Sequence, residues 1–277
     1  MKNRKSTIIL LIGFFIGLSV LLYPTISSYW NSKTQSEAIV DYESMLALYK
    51  PEDYDAVFEA AESYNKMLSE LNDPMAEHNR LPDYHSILNI SGTGMMGYIT
   101  VPKINQELPV YHGTSDGVLS VAVGHLQGTS LPVGGESTHC VVSAHRGLPT
   151  AVLFTHLDRM EIGDLFYFTI LDRTLTYEVD QIRIVEPDDT SLIQITEGQD
   201  YCTMLTCTPY GINTQRLLVR GHQIDESQTR NIYVATEAYR IEPLIVMPMV
   251  ALPIIFVLLI YVMFAPVKKE SLGEDDL

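Results

Sequence analysis

Hydrophobic positions along this chain fall into three regimes. Ile8 to Leu22 is apolar apart from Ser19 and small glycines, and Leu244 to Phe264 is a longer apolar run without a charge. Between them, residues 33 to 71 carry apolar positions at helical spacing, and from Gly94 onward short alternating runs punctuated by turns take over. A helix of about 20 apolar residues spans a bilayer; the second run is long enough and the first is at the short end. Lys2, Arg4 and Lys5 precede the first run, and Lys268 and Lys269 follow the second. Basic flanks mark the cytoplasmic side, so two spans place both termini inside and the middle of the chain outside. The first run also has the form of a cleaved signal, with Thr25 and Ser27 at cleavage spacing. Either reading exports the middle.

The helical stretch divides at Pro51. Ile39, Met45, Leu46 and Leu48 mark one helix. The residue before a proline avoids the α region, which puts a break near Lys50, and Pro51 itself suits the first turn of a second helix. Ala56, Ala60, Ala61, Tyr64, Met67, Leu68 and Leu71 then recur at helical spacing. The expected organisation is a basic start and anchor or signal over 1–29, a helical hairpin over 30–71, and a loop and connector over 72–93. Asn72-Asp73-Pro74 stops the second helix, and Met75 to Asp83 is polar without periodicity. Strands are expected at Met96–Val101, Leu108–His112, Cys140–Ala144, Leu165–Ile170, Thr174–Val185, Tyr201–Thr206 and Leu217–Ile224, with Ser115–Leu126 and Ala151–Leu157 as short helices or turns. Seven or eight strands in roughly 130 residues point to a mainly β domain over 94–230, closed or nearly closed as a barrel. A linker over 231–243, a transmembrane helix over 244–266 and a cytoplasmic tail over 267–277 complete the reading. The last apolar run is taken as a retained anchor, because no Leu-Pro-x-Thr-Gly precedes it as a cut-off wall-sorting tail requires.

The formal charge is −16, and most of the acid lies in the exported middle. That balance excludes nucleic acid as a partner; it suits either simple solubility or a lysine-bearing protein surface. Cys140, Cys202 and Cys207 form an odd set, so at least one thiol is unpaired. No Cys-x-x-Cys or His-x-x-x-His pair suggests zinc, and the acid-rich stretches 186–189 and 197–200 read as solvated turns rather than calcium sites. No metal or organic cofactor is expected.

The chemistry concentrates in Thr203-Met204-Leu205-Thr206-Cys207-Thr208-Pro209-Tyr210. An apolar run ends at Cys207, a Pro-Tyr-Gly turn follows, and Arg216 opens the next strand-like run. Cys140 and Cys202 sit among strand residues with no turn beside them and read as buried small hydrophobes. A nucleophilic thiol needs a basic or cationic neighbour, and Val141-Val142-Ser143-Ala144-His145-Arg146-Gly147 supplies His145 at the end of another strand. His125 and His139 are rivals for that role. Arg216 can donate to an oxyanion or a substrate carbonyl and stays charged; Arg220 has the same facing parity farther from the turn.

These residues resemble the class C, or pilin-polymerising, sortases over almost the whole chain. The segment Thr206-Cys207-Thr208-Pro209-Tyr210-Gly211 with Arg216-Leu217-Leu218-Val219-Arg220-Gly221 is similar to that family's cysteine and arginine signature. Ser143-Ala144-His145-Arg146-Gly147-Leu148-Pro149 is similar to its histidine signature, and Pro109-Val110-Tyr111-His112-Gly113-Thr114 and Gly124-His125-Leu126-Gln127-Gly128-Thr129 match its barrel entry. The resemblance implies a closed eight-stranded β-barrel with short helices and a membrane-anchored cysteine transpeptidase. Cys207 would be the nucleophile, His145 the proton-transfer partner and Arg216 the oxyanion and substrate ligand, with backbone near Thr206 adding a donor. The implied substrates are pilin precursors with LPXTG-like C-terminal signals, and the implied acceptor is a pilin lysine; anchoring to a peptidoglycan precursor is the alternative, and a non-catalytic exported binding protein with Cys207 in its core is a weaker one. The family's lid motif, Asp-Pro-aromatic, matches Asp73-Pro74, but Met75 stands where the aromatic belongs.

Overall fold

The computed structural model describes residues 4–225 except Pro82, together with Ile255. The chain divides into two units, Met1–Thr25 with Ala235–Leu277, and Ile26–Val234. The expected linker, second span and tail, 231–277, lie outside the described residues apart from Ile255. Helix α1 is continuous over Arg4–Leu46 and contains Pro24. Its apolar part makes it the one helix among the described residues long and apolar enough to cross a membrane. No break separates the apolar run from the helix expected after it. The chain turns at residues 47–50 and resumes as α2, Pro51–Ser69, where the Asp53 carboxylate accepts the Lys50 N–H at 3.0 Å.

The β strands are β1 Met95–Val101, β2 Gln106–His112, β3 Val123–His125, β4 Thr138–Ser143, β5 Leu165–Ile170, β6 Arg173–Val185, β7 Asp200–Thr208 and β8 Gln215–Ile224. They close as a barrel in the order β1-β2-β3-β4-β7-β8-β6-β5. The pairs β2–β3 and β4–β7 are parallel and the rest antiparallel. Strand β3 corrects the expectation for Ser115–Leu126: only Asp116–Leu119, α4, is helical. Three residues containing a glycine are too short to show alternation, and Val123-Gly124-His125 is extended because β2 and β4 pair with it on either side.

Strands alternate their side chains between two faces, and this alternation builds the site. Cys140 and Val142 on β4, Cys202 and Met204 on β7, and Leu217 and Val219 on β8 point into the barrel core. The intervening Val141, Leu205 and Leu218 meet on the outer wall, forming a second apolar cluster with Ile193. The two long helices dock elsewhere on the barrel. Buried Tyr42 donates its hydroxyl to the Met96 carbonyl at 3.0 Å and accepts the Leu171 N–H at 3.0 Å. Buried Asn65 bonds both the N–H and the carbonyl of Leu131, at 2.7 and 3.0 Å. The 72–93 connector is pinned by Tyr84, whose hydroxyl lies 2.8 Å from His125 Nδ1.

Candidate active site

Cys207 is the penultimate residue of β7, and its partner across the antiparallel ladder is Arg216. Directly opposed residues project from the same face. That face is the outer wall, since Cys207 has the parity of Leu205 and Arg216 that of Leu218. Strand β4 lies parallel on the other side of β7, with Ser143 opposite Leu205. The pairing runs one step past the end of β4: the Ala144 N–H donates to the Leu205 carbonyl at 3.2 Å and the Thr206 hydroxyl to the Ala144 carbonyl at 2.8 Å. His145 is the next residue along that line and has the outer-wall parity of Val141 and Ser143. Three elements therefore bring His145, Cys207 and Arg216 to one end of one face, each half-buried. They are open to a substrate and still partly shielded from bulk water.

The other cysteines and histidines are committed elsewhere. Cys140 and Cys202 are buried, and burial beside Cys202 pushes the Cys140 thiol well up, which keeps it protonated and unreactive. His125 is fully buried; its Nε2 lies 2.8 Å from the Ser130 carbonyl and its Nδ1 faces Tyr84. His139 is buried between the Gln194 carbonyl at 2.9 Å and the Thr203 hydroxyl at 2.7 Å. Desolvation lowers both imidazoles to about 4, so they are neutral structural groups near neutral pH. Arg220 is likewise engaged, through a fork onto the Asp180 carboxylate at 3.0 and 2.9 Å and over the Tyr201 ring at 4.0 Å. The Arg216 guanidinium has a different setting. Its Nη1 donates to the main-chain carbonyls of Asn213 and Gln215 at 3.3 and 3.1 Å, and among the described residues it forms no ion pair.

Thr206 has the opposite parity. Its side chain is fully buried and its hydroxyl is spent on Ala144, so only its backbone faces the Cys207 neighbourhood.

The segment 72–80 is more ordered than its polarity suggested. Pro74–Glu77 forms α3, capped by Asp73, whose Oδ1 accepts the Ala76 N–H at 3.2 Å. Met75 packs against the outer-wall cluster built on Val141, Ile193 and Leu218. Gly128, at φ +95°, allows this approach, because a Cβ there would lie 3.2 Å from Met75 Sδ. Among the described residues no ion pair joins Asp73 to Arg216.

Two residues near the site had no role in the sequence reading beyond their place in turns. Arg146, immediately after His145, places Nη2 2.6 Å from Asp158 and donates from Nη1 to the Thr208 hydroxyl at 3.3 Å. Tyr210 lies against Gly147, where a Cβ would come within 3.0 Å of its ring. Neither partner is close in sequence, so spacing carries no signal of these contacts.

An eight-stranded mixed barrel with a cysteine and an arginine paired on its outer wall, and a histidine just past the end of the neighbouring strand, has the architecture of a cysteine-dependent acyl-transfer protein. The comparisons agree. A Sortase domain matches residues 99–224. Sortase C1 of Streptococcus agalactiae is 46% identical, with a TM-score of 0.62 over 68% of this chain and 98% of that one. Streptococcus pneumoniae Sortase C, whose structure was described for its catalysis and pilin substrate specificity, is 44% identical, with a TM-score of 0.58 over 68% of this chain and 97% of that one. Sortase D of Bacillus subtilis is 30% identical over 131 residues, 46% of this chain, and the match spans 63% of that protein's length. The chain belongs to the sortase family of cysteine transpeptidases, and its strong structural likenesses are to the class C members.

Proposed function

We propose that this protein is a membrane-anchored transpeptidase that joins pilin subunits. The Cys207 thiolate attacks the Thr–Gly carbonyl of an LPXTG-like signal, and Arg216 stabilises the oxyanion of the tetrahedral intermediate. The C–N bond breaks, His145 gives its proton to the leaving glycine amine, and a thioester links the pilin threonine to Cys207. A lysine amine of a second pilin attacks the thioester, loses its proton to the His145 imidazole, and expels the Cys207 thiolate as the isopeptide bond forms. The observation that carries this reading is the direct Cys207–Arg216 pairing on the outer wall, with His145 two residues past the end of the adjoining strand. No cofactor takes part. Asp73, Pro74 and Met75 act as a lid, with Met75 occupying the apolar wall that the substrate must reach.

The long apolar helix α1 serves as one anchor, and the 244–266 run as a second, with both termini cytoplasmic and the barrel outside. The likeness to a sortase studied for pilin specificity supports a pilin acceptor over a peptidoglycan precursor. The test is to incubate the full-length chain in detergent with an LPXTG peptide and two amines, a lysine-containing pilin peptide and a glycine-based wall mimic. Ligation to the lysine peptide, seen by mass spectrometry and lost in Cys207→Ala, is expected. Ligation to the wall mimic alone would favour the anchoring reading, and hydrolysis alone would contradict both.

A further inference from the structure

We infer that Arg146 is a positioning residue: it sets the separation of His145 and Cys207 by joining the residue that follows one to the residue that follows the other. The inference rests on the transpeptidase reading for its consequence and on geometry for its existence. The Arg146 side chain is only 8% exposed. Its guanidinium reaches Thr208, next to Cys207 on β7, and Asp158, in the short helical turn Leu157–Arg159, while the backbone of Arg146 continues directly from His145. One planar fork thus ties the histidine loop, the cysteine strand and a third segment together. Lysine has the charge but not this fixed geometry.

Two details favour a geometric role over simple stabilisation. Nε of Arg146 is buried without a hydrogen-bond partner, an arrangement that stability alone does not reward. The Asp158 partner is half exposed, at 49%, which weakens the pair as a source of folding energy. The Tyr210 ring closes over the same place, 5.9 Å from the guanidinium and in contact with Gly147.

The full-length protein in detergent micelles would be studied as wild type, Arg146→Lys, Arg146→Gln, Thr208→Val and the Arg146→Gln/Thr208→Val double variant. With an LPXTG peptide, acyl-enzyme formation in Arg146→Gln is expected to lose about tenfold or more in kcat with KM unchanged within about twofold. Arg146→Lys should recover part of that loss. Thr208→Val should be slower by a smaller factor, and the double variant no slower than Arg146→Gln alone, because both act through one contact. In parallel, the pH profile of Cys207 alkylation by iodoacetamide would be recorded for wild type, Arg146→Gln and His145→Ala. The Arg146→Gln profile is expected to move onto that of His145→Ala. A profile that stays on the wild type, a loss confined to KM, or additive losses in the double variant would overturn the inference. If the wild type forms no acyl-enzyme, the transpeptidase reading fails and the alkylation profiles alone decide this one. If Arg146→Gln does not fold, Arg146→Lys and Thr208→Val carry both readouts.

Discussion

Cys207 and Arg216 face each other directly across the β7–β8 ladder, on the outer wall of the barrel. A directly opposed pair has Cβ atoms about 4.5–5.5 Å apart, within reach of a carbonyl oxygen held at the cysteine. The Arg220 guanidinium, four residues on, is neutralised by Asp180. Arg216→Ala is therefore expected to lower acyl-enzyme formation by about 10²–10³-fold, the effect of losing one oxyanion donor, with little change in thermal midpoint. Arg220→Ala should lower the midpoint and leave the chemistry largely intact. Single-turnover kinetics beside calorimetry on both variants separate the roles; equal kinetic losses would contradict the assignment.

The lid reading makes Cys207 reactivity depend on Met75. Half-burying a methionine against the outer wall is worth about 1 kcal/mol, so Met75→Ala is expected to raise the rate of Cys207 alkylation roughly fivefold. Met75→Phe, which restores the aromatic of the family motif, should lower it. An unchanged rate in both would remove Met75 from the lid.

The helices are expected to be part of the barrel's stability rather than a detachable stalk. Asn65 satisfies two buried backbone groups of Leu131, and each group left unpaired costs about 1–3 kcal/mol. Asn65→Ala should lower the thermal midpoint by roughly 4–24 °C at this domain size without changing Cys207 alkylation at 25 °C. A shift under about 2 °C would show that the contact carries little.

His125 and His139 make stability depend on acid. Their folded values of about 4 lie below the unfolded value of about 6.5, so the unfolded chain binds more protons between those limits and stability falls as pH drops through that window. Arg220 adds to the depression at His139 and Asp180 opposes it. Half-buried Asp200, held above its usual range by desolvation, protonates more readily in the folded chain and offsets part of the loss. The thermal midpoint is expected to be flat above about pH 6.5 and to fall steadily towards pH 4.5. His139→Gln should flatten that slope. A midpoint that rises on acidification would contradict the assignment.

Much of this was legible in sequence, for identifiable reasons. Short apolar and β-branched runs between turns marked seven of the eight strands, including β4, which is buried on both faces. That signal missed β3, whose three residues are extended only through their neighbours. The His145, Cys207 and Arg216 set stood out because each closes or opens an apolar strand beside a turn. Choosing among histidines needed the fold: only burial and hydrogen bonding show that His125 and His139 are spent. Asp73 and Met75 were visible as a motif, but the helical turn they begin is four residues long and its packing on the outer wall is tertiary. Arg146 was invisible as a contact residue, since Asp158 and Thr208 lie 12 and 62 positions away.

The central claim is covalent catalysis at Cys207, and intact-mass spectrometry of the full-length chain mixed with an LPXTG peptide tests it most directly. The account predicts an adduct of the peptide's acyl part on wild type, cleaved by hydroxylamine as a thioester, absent in Cys207→Ala and more abundant in Met75→Ala. No adduct on wild type or Met75→Ala with pilin-derived signal peptides, or an adduct that survives in Cys207→Ala, would contradict it.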